Sequence, residues 1–540
     1  MFVGYVSDEN YVAIADAALE FERNGKSVAA VHSTARGAVF ADLAPGDYRV
    51  TISKTGYTAK LVDLTLVEGQ PYQFRLLSDQ LLGYVWPKWV KSGENSEFRV
   101  HSPQAYRLSL WRYGLQKEFV RLIGWFDEHG PRAVTQILPD GDFVQSGVRW
   151  NSFGYGSVLH GQQVKAPERS GLYYFHAESE NGDFFTFPWI VAPSMPQASI
   201  AVLASTNTWN AYNNFGGRSN YVNPVALPPT PTINARQQLG RYTRSGSYTV
   251  WREADEEYTP LSFDRPEPFN HIPRETELND PIRGRQPCHI APTEWRLLGW
   301  LEREGFAYDF YSEAQLHFDQ LDLDAYKVLI LSTHPEYWSR RMFDKVKEWV
   351  QKRGGRLLYL GGNGLNCEIE FLDPATMRCN TQLILDEDGL TNRDPADPSA
   401  GYESRMHRRG ESEAALLGVV YTDPGAMTAA PYRVVQADHW IFAGTGLHNG
   451  DTFGEKSLHE RIPGGASGHE TDKRSASTPP GTVLLAKGTN QDEGGAEMVI
   501  YETASGGAVF SVGSITWPAC ILVDNAVSTI TANVIRRFLR

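Results

Sequence analysis

The sequence predicts a multidomain α/β plus all-β protein, with β-sandwich modules first and a parallel-sheet domain after them. Three observations predict it. Short alternating runs broken by Gly, Pro and Asp fill residues 1–196, and a strand–helix–strand grammar with unbroken apolar strands begins near Ser199. The third is composition: 49 Gly, 31 Pro and 12% aromatic residues favour strands and turns over helix bundles. At 540 residues the chain can hold several domains, each burying its own core.

Residues 1–78 contain KSVAAVH, GAVFADL, DYRVTISK and YQFRLL between turn residues, the pattern of a small antiparallel sandwich. Residues 79–196 continue with SEFRVHS, YRLSLWRYG, GLYYFHAES and FFTFPWIVA, a second β-sandwich closed off by Pro193 and Pro196. In residues 197–540, SIAVLAST and YKVLILST read as buried strands, and TEWRLLGWLEREG between them as a helix with apolar residues three and four apart. The helix RRMFDKVKEWVQKRGG and the strand RLLYLGG follow, with glycine at the helix stop. This order indicates a parallel sheet covered on both faces, of flavodoxin-like or glutamine-amidotransferase-like type. Two long insertions, at about 225–285 and 365–480, lie over its rim, and loops that long in a compact domain are more often functional than idle.

A net charge of −13 argues against a phosphate-backbone or anionic-membrane partner, because both need an electropositive footprint. MFVGYVSDENYVAIADAALEF has no basic region followed by an apolar core, and no apolar stretch is long enough to span a bilayer, so a soluble, cytoplasmic protein is expected. Cys288, Cys367, Cys379 and Cys520 form neither a disulfide framework nor a close metal-binding pair, and are expected to be reduced core residues.

Ligands bind at the carboxyl ends of parallel strands, so residues just past each strand should converge. After SIAVLAST come Asn210, Tyr212, Asn213 and Tyr221; after KVLILST come His334, Glu336 and Tyr337; after RLLYL come Gly361, Gly362 and Asn363. Each has a plainer reading. Pro335 and Glu336 suit a helix N-terminus, the tyrosines can anchor a loop, the glycines can turn the chain, and a single histidine is more often a structural hydrogen-bonding residue. Together they offer phenolate and carboxylate oxygens, hard donors that suit iron(III) better than copper(I) or structural zinc.

AVLASTNTWNAYNN, GGRSNY, STHPEYWS, GGRLLYLGGNG, HWIFAGTGL, GHETD and GGAVFSVGSITW make residues 198–540 resemble the N,N-dimethylformamidase large subunit family. LAPGDYRVTISKTGY resembles the closing strands of carboxypeptidase regulatory-like, transthyretin-like domains, which are usually structural or adhesive. The amidase resemblance implies a mononuclear iron(III) held by Tyr212, Tyr221 and Glu336, with His334, Asn363 and Asp472 lining the pocket as catalytic groups. The second phenolate is Tyr221 or another tyrosine near the 225–285 insertion, such as Tyr258. It also implies hydrolysis of a small N-substituted amide such as N,N-dimethylformamide, the ion acting as Lewis acid on the carbonyl and on a water. A small partner subunit or a homo-oligomer is implied as well. A cysteine hydrolase would need a cysteine on a tight strand-to-helix turn, which these tips lack. The non-enzyme alternative, a carbohydrate-binding or structural surface protein, rests on the two sandwiches, 14 Trp and 25 Tyr.

Overall fold

The computed structural model describes residues 1–126, 138–149, 162–223, 226–233, 258–280, 289–380, 406, 410–422 and 424–540. Cys288 and parts of both insertions lie outside the described residues. Eight sheets and few helices make up the regular structure that is described.

The first module packs a three-stranded sheet (Ala38–Ala41, Phe2–Ser7, Tyr72–Arg75) and a four-stranded one (Lys26–His32, Ala18–Arg23, Gly46–Lys54, Tyr57–Leu66) around one core. Alternation along Gly46–Lys54 sends Tyr48, Val50 and Ile52 inward against Phe21, Val39 and Phe74. The expectation of a purely antiparallel sandwich is corrected at one place: Tyr72–Arg75 runs parallel to Phe2–Ser7, since the chain crosses the second sheet before returning beside its first strand. The second module has a three-stranded and a five-stranded sheet, with Phe98, Leu108, Leu110, Phe175, Phe187 and Trp189 between them.

The third part is built on a nine-stranded sheet. Its strands are β1 Ile200–Ala204, β2 Asp309–Ser312, β3 Val328–Thr333, β4 Arg356–Gly361, β5 Tyr432–Val434, β6 Thr452–Phe453, β7 Val483–Gly488, β8 Glu497–Glu502 and β9 Ala508–Ser511. The spatial order is β2-β1-β3-β4-β9-β8-β7-β5-β6. The five strands from β2 to β9 are parallel, and antiparallel strands extend the sheet beyond β9. Successive residues face opposite ways, so Val202, Ile330 and Leu358 meet the helices α2 Ala291–Arg303 and α4 Asn525–Phe538, while Leu203, Leu329 and Leu357 meet α3 Arg340–Arg353. Both faces are covered, which is why these strands read as continuous apolar runs. Met342, Phe343, Val346, Trp349 and Val350 form the buried stripe of α3, each worth roughly 1.5–3 kcal/mol in removed apolar surface.

Two local readings are corrected. Strand β2 is absent from the sequence reading; it is four residues long, and its Asp309 carboxylate accepts bonds from the Gln197 and Ala198 N–H groups and the Tyr326 hydroxyl. Pro335 and Glu336 do not open a helix; α3 starts at Arg340, where RRMFDKVKEWVQKRGG places it. Tyr337–Ser339 pairs in parallel with Cys367–Ile369, and Ser339 caps α3 by accepting from the Met342 N–H. No helix among the described residues is long and apolar enough to cross a membrane.

Candidate functional site

The tips of β1, β3 and β4 meet, and each side chain there is held by packing that can be traced residue by residue. Tyr212 ends the helix α1 Thr206–Tyr212, which follows β1 directly. Two carboxylates from other elements cap α1: Glu294 Oε1 accepts from Ser205 N at 2.9 Å, and Glu313 Oε2 from Asn207 N at 2.8 Å. At its far end the buried Arg265 donates to Asn210 O and Oδ1, Asn213 O, Phe215 O and Ser262 O, using all five of its N–H groups. Replacing Arg265 with methionine strands these carbonyls and is expected to cost on the order of 3 kcal/mol in denaturant unfolding.

Glu294 is fully buried and its Oε2 has no hydrogen-bond partner among the described residues. Burial pushes its pKa up to about 8, against the bonds from Ser205 and Trp209 that favour the charge. The folded value exceeds the ordinary 4.5, so the folded chain keeps a proton that the unfolded chain releases. Its contribution to stability is therefore complete in acid and is lost as pH rises from about 4.5 toward 8. Glu294→Gln keeps an acceptor for Ser205 and cannot ionise. It is expected to match the parent near pH 5 and to exceed it near pH 9 by on the order of 2 kcal/mol in urea titrations.

Tyr221 sits on the loop that leaves α1. Gly216 and Gly217 take positive φ there (104° and 85°), and a Cβ on Gly217 would meet the Asn10 carbonyl oxygen at 2.9 Å. The first module holds this loop: Gly216 N–H donates to Glu9 O, and the buried Arg75 donates to Gly216 O at 3.1 Å.

The segment after β3 brings His334 and Glu336. Thr333 has φ 54°, an uncommon value for a β-branched residue, so the chain turns sharply at the strand tip. Thr208 Oγ1 donates to His334 O at 2.7 Å and accepts from Glu336 N at 3.1 Å, tying this segment to α1. After β4, Gly361 and Gly362 are close-approach positions rather than turn formers: a Cβ would meet Thr333 O at 2.3 Å and Glu470 O at 2.7 Å. Asn363, with φ 49°, makes the turn.

These elements gather four of the side chains named from sequence. The Tyr212 hydroxyl lies 3.1 Å from Glu336 Oε2 and 3.1 Å from His334 Nε2. The Tyr221 hydroxyl lies 3.0 Å from Glu336 Oε2, 3.2 Å from Oε1 and 3.1 Å from the Tyr212 hydroxyl, with the two rings stacked at 4.7 Å. Glu336 and His334 are buried. Burial first, then the Glu336 charge and Tyr221, push the Tyr212 hydroxyl well above the ordinary phenol range. Burial presses His334 down, but the Glu336 hydrogen bond and the charges of Glu470 and Glu336 outweigh it and raise its pKa to about 8. No helix N-terminus acts on this ring: α3 begins beyond it, and carboxylates are its neighbours.

Asn363 and Asp472 sit one step back. Asn363 Nδ2 donates to Glu470 Oε2 at 2.8 Å. Asp472 accepts from Asn363 N at 2.8 Å and the Tyr359 hydroxyl at 2.7 Å, so both its oxygens hold the turn. Glu470, without a role in the sequence reading, is the carboxylate nearer the centre, 3.8 Å from His334 Nε2. Also unassigned from sequence are Tyr337, whose hydroxyl donates to that of Tyr221 at 2.8 Å, and His289, whose ring packs edge-on to Tyr212 at 5.1 Å and to His334 at 5.7 Å. Beyond His289 stand His469 and His459, hydrogen bonded to each other at 3.1 Å. Their signal in the sequence was proximity to named motifs: Tyr337 is inside His-Pro-Glu-Tyr-Trp, and His469 and Glu470 precede Asp472.

Among the described residues no three His, Cys, Asp or Glu side chains form a metal set; the cluster that does converge is two phenols and one carboxylate. Cys367, Cys379 and Cys520 are buried, and Cys367 opens the strand Cys367–Asp373 rather than a strand-to-helix turn.

The family described as N,N-dimethylformamidase beta subunit-like, C-terminal, matches residues 160–528. The match begins before β1 and takes in three strands of the second module, Gln163–Lys165, Gly171–Ser179 and Phe184–Ala192. Two curated relatives, the N,N-dimethylformamidase beta subunits of Paracoccus aminophilus and of Alcaligenes sp, are each 26% identical over 315 residues. The matches cover 49% of this chain and 40% of each relative, so the chain spans less than half the length of these relatives. Among solved structures, a beta-galactosidase from Rahnella sp. R3 is 13% identical with a TM-score of 0.26, over 46% of this chain and 27% of that one, a likeness too slight to argue from.

Proposed function

The chain belongs to the N,N-dimethylformamidase beta subunit-like, C-terminal family, and from that premise we propose that it is an iron-dependent hydrolase of linear carbon–nitrogen amide bonds. The observation that carries the reading is the meeting of the Tyr212 and Tyr221 hydroxyls and the Glu336 carboxylate at 3.0–3.2 Å from one another. These are the residues that would hold the ion. Their hard oxygens suit iron(III), and a multiply charged cation at their meeting point would reverse the burial and like-charge effects that keep the Tyr212 phenol protonated. When bound there, iron supplies Lewis acidity toward an amide carbonyl and a water.

The chain's own groups then move protons and shape the pocket. His334 is assigned the tautomer in which Nδ1–H donates to Gly362 O at 2.9 Å, so Nε2 faces the cluster. That nitrogen is placed to take a proton from the attacking water and return it to the departing amine nitrogen, which leaves as the carbon–nitrogen bond breaks. Glu470, steered by the Asn363 amide, lies beside the same nitrogen and favours its charged form. Asp472 acts at one remove, by fixing the turn that aims Asn363. The Tyr212, Tyr221 and His289 rings wall the cluster and favour small amides over long ones.

N,N-dimethylformamide is the first substrate to test, and a small partner subunit is the companion to look for. The β2-β1-β3-β4-β9 strand order favours a flavodoxin-like reading of the α/β part, and a core of its own favours a unit at 1–78, while 79–196 and 197–540, proposed as further units, share a core through Tyr113, Leu172, Tyr174 and Ile190.

The test has two arms: metal analysis of protein purified without added metal, and a screen of small amides for released amine. About one iron per chain with amine release supports the proposal. A folded protein that carries no iron and releases no amine is a binding module instead.

A further inference from the structure

A third phenol completes the cluster. Tyr337 follows Glu336 in sequence and is fully buried on the short strand Tyr337–Ser339. Its oxygen has two neighbours of opposite kind. Asn220 Nδ2 donates to it at 2.7 Å, and the Tyr221 hydroxyl oxygen lies 2.8 Å away. A phenol has one hydrogen, and an amide NH2 can only donate, so the Asn220 bond occupies a lone pair of Tyr337 and directs its hydrogen onto Tyr221. Tyr221 in turn faces the two Glu336 oxygens. The result is a one-way chain of donors, Asn220 to Tyr337 to Tyr221 to Glu336. Tyr212 is placed differently, its hydroxyl lying against His334 Nε2, Glu336 Oε2 and the Tyr221 hydroxyl. Two phenols that look equivalent in sequence thus have unequal surroundings.

We propose that Tyr337 is a positioning residue that donates a hydrogen bond to the Tyr221 phenolate oxygen and so weakens Tyr221 as a donor to iron. The inference rests on the reading of Tyr212, Tyr221 and Glu336 as ligands. A hydrogen bond to a phenolate stabilises its filled oxygen orbital, so more energy is needed to move an electron from it to iron(III). Weaker donation by one phenolate also leaves the ion a stronger Lewis acid, which is what amide hydrolysis uses. Without the bond, the Tyr221 charge-transfer band moves to longer wavelength. The phenolate then stabilises iron(III) more, and the reduction potential falls.

The experiment compares iron(III)-loaded parent, Tyr221→Phe, Tyr337→Phe and Asn220→Asp by metal content, visible absorption and reduction potential. Tyr337→Phe keeps the ring and removes only the hydrogen bond. It is expected to retain iron, to shift the band by tens of nanometres to longer wavelength and to lower the potential. Asn220→Asp keeps Tyr337 but offers its hydrogen an acceptor on the other side, so the band should move in the same direction. Tyr221→Phe should remove part of the band altogether. An unmoved or shortened wavelength in iron-loaded Tyr337→Phe overturns this inference alone. So does loss of iron from Tyr337→Phe if the band of Asn220→Asp stays in place. A parent protein without a phenolate band, or a band indifferent to Tyr221→Phe, overturns the ligand reading and this inference with it.

Discussion

Glu336→Gln is expected to yield a folded protein that no longer retains iron through purification. Both Glu336 oxygens lie within hydrogen-bond reach of the Tyr221 hydroxyl, and Oε2 also within reach of Tyr212. A carboxylate supplies negative charge far more readily than the two phenols, which must give up protons to become anionic. An amide of equal shape removes that charge and turns two N–H donors toward oxygens that are donors already. The loss of affinity should exceed the roughly 10–100-fold that outer partners of a metal site are usually worth. Folding should survive, because the backbone at Glu336 is held separately, its N–H by Thr208 Oγ1 and its carbonyl by the Cys367 N–H. The side chain is fully buried beside other acidic groups, so the variant should melt no lower than the metal-free parent. Iron per chain, the visible band and the melting temperature are measured together. A folded variant with undiminished iron sinks the assignment of Glu336 as a ligand.

Much of the third part was legible because its cause is local. Buried parallel strands must be apolar on both faces, so β1, β3 and β4 declare themselves as SIAVLA, VLILST and RLLYLG, and α3 declares itself by its buried stripe and its Gly354 stop, which takes φ 78°. Residues past the ends of neighbouring parallel strands are close in space by construction, which is why Tyr212, His334, Glu336 and Asn363 could be named together. Strand β2 was missed because four residues give no period, and its Asp309 looks like loop until its three donors are seen.

Reading Pro335 and Glu336 as a helix opening fails for a related reason. Pro followed by Glu is good helix-opening chemistry, but Tyr337–Ser339 gains backbone partners from Cys367–Ile369, a pairing set by a segment some thirty residues on. Glu470 was invisible for another. His469 takes φ 67°, so the chain bends between the short strands Ser467–Gly468 and Thr471–Lys473 and no period runs through Glu470. The support of the Tyr221 loop by Arg75 and Glu9 spans more than a hundred residues, and no spacing rule reaches that far.

His334→Asn is expected to keep iron and fold but lose turnover by roughly two to four orders of magnitude. The choice of asparagine follows from the ring's two nitrogens. Nδ1 donates to Gly362 O at 2.9 Å, a bond an asparagine amide can reproduce, while Nε2 faces Tyr212 and Glu336 at 3.1 and 3.3 Å and has no counterpart in the shorter side chain. Deleting the whole ring, as in His334→Ala, confounds the two. It strands the Gly362 carbonyl at about 1–3 kcal/mol and opens a cavity between the Tyr212 and His289 rings, so lower activity could follow from lower stability. If Nε2 carries the proton, His334→Asn and His334→Ala lose turnover alike while only the alanine variant melts early. If His334 serves structure alone, His334→Asn turns over nearly as fast per iron as the parent, and the catalytic assignment falls. Iron content, melting temperature and turnover per iron, measured on both variants, separate these outcomes, since only the proton-carrying role predicts a folded, iron-loaded and slow enzyme.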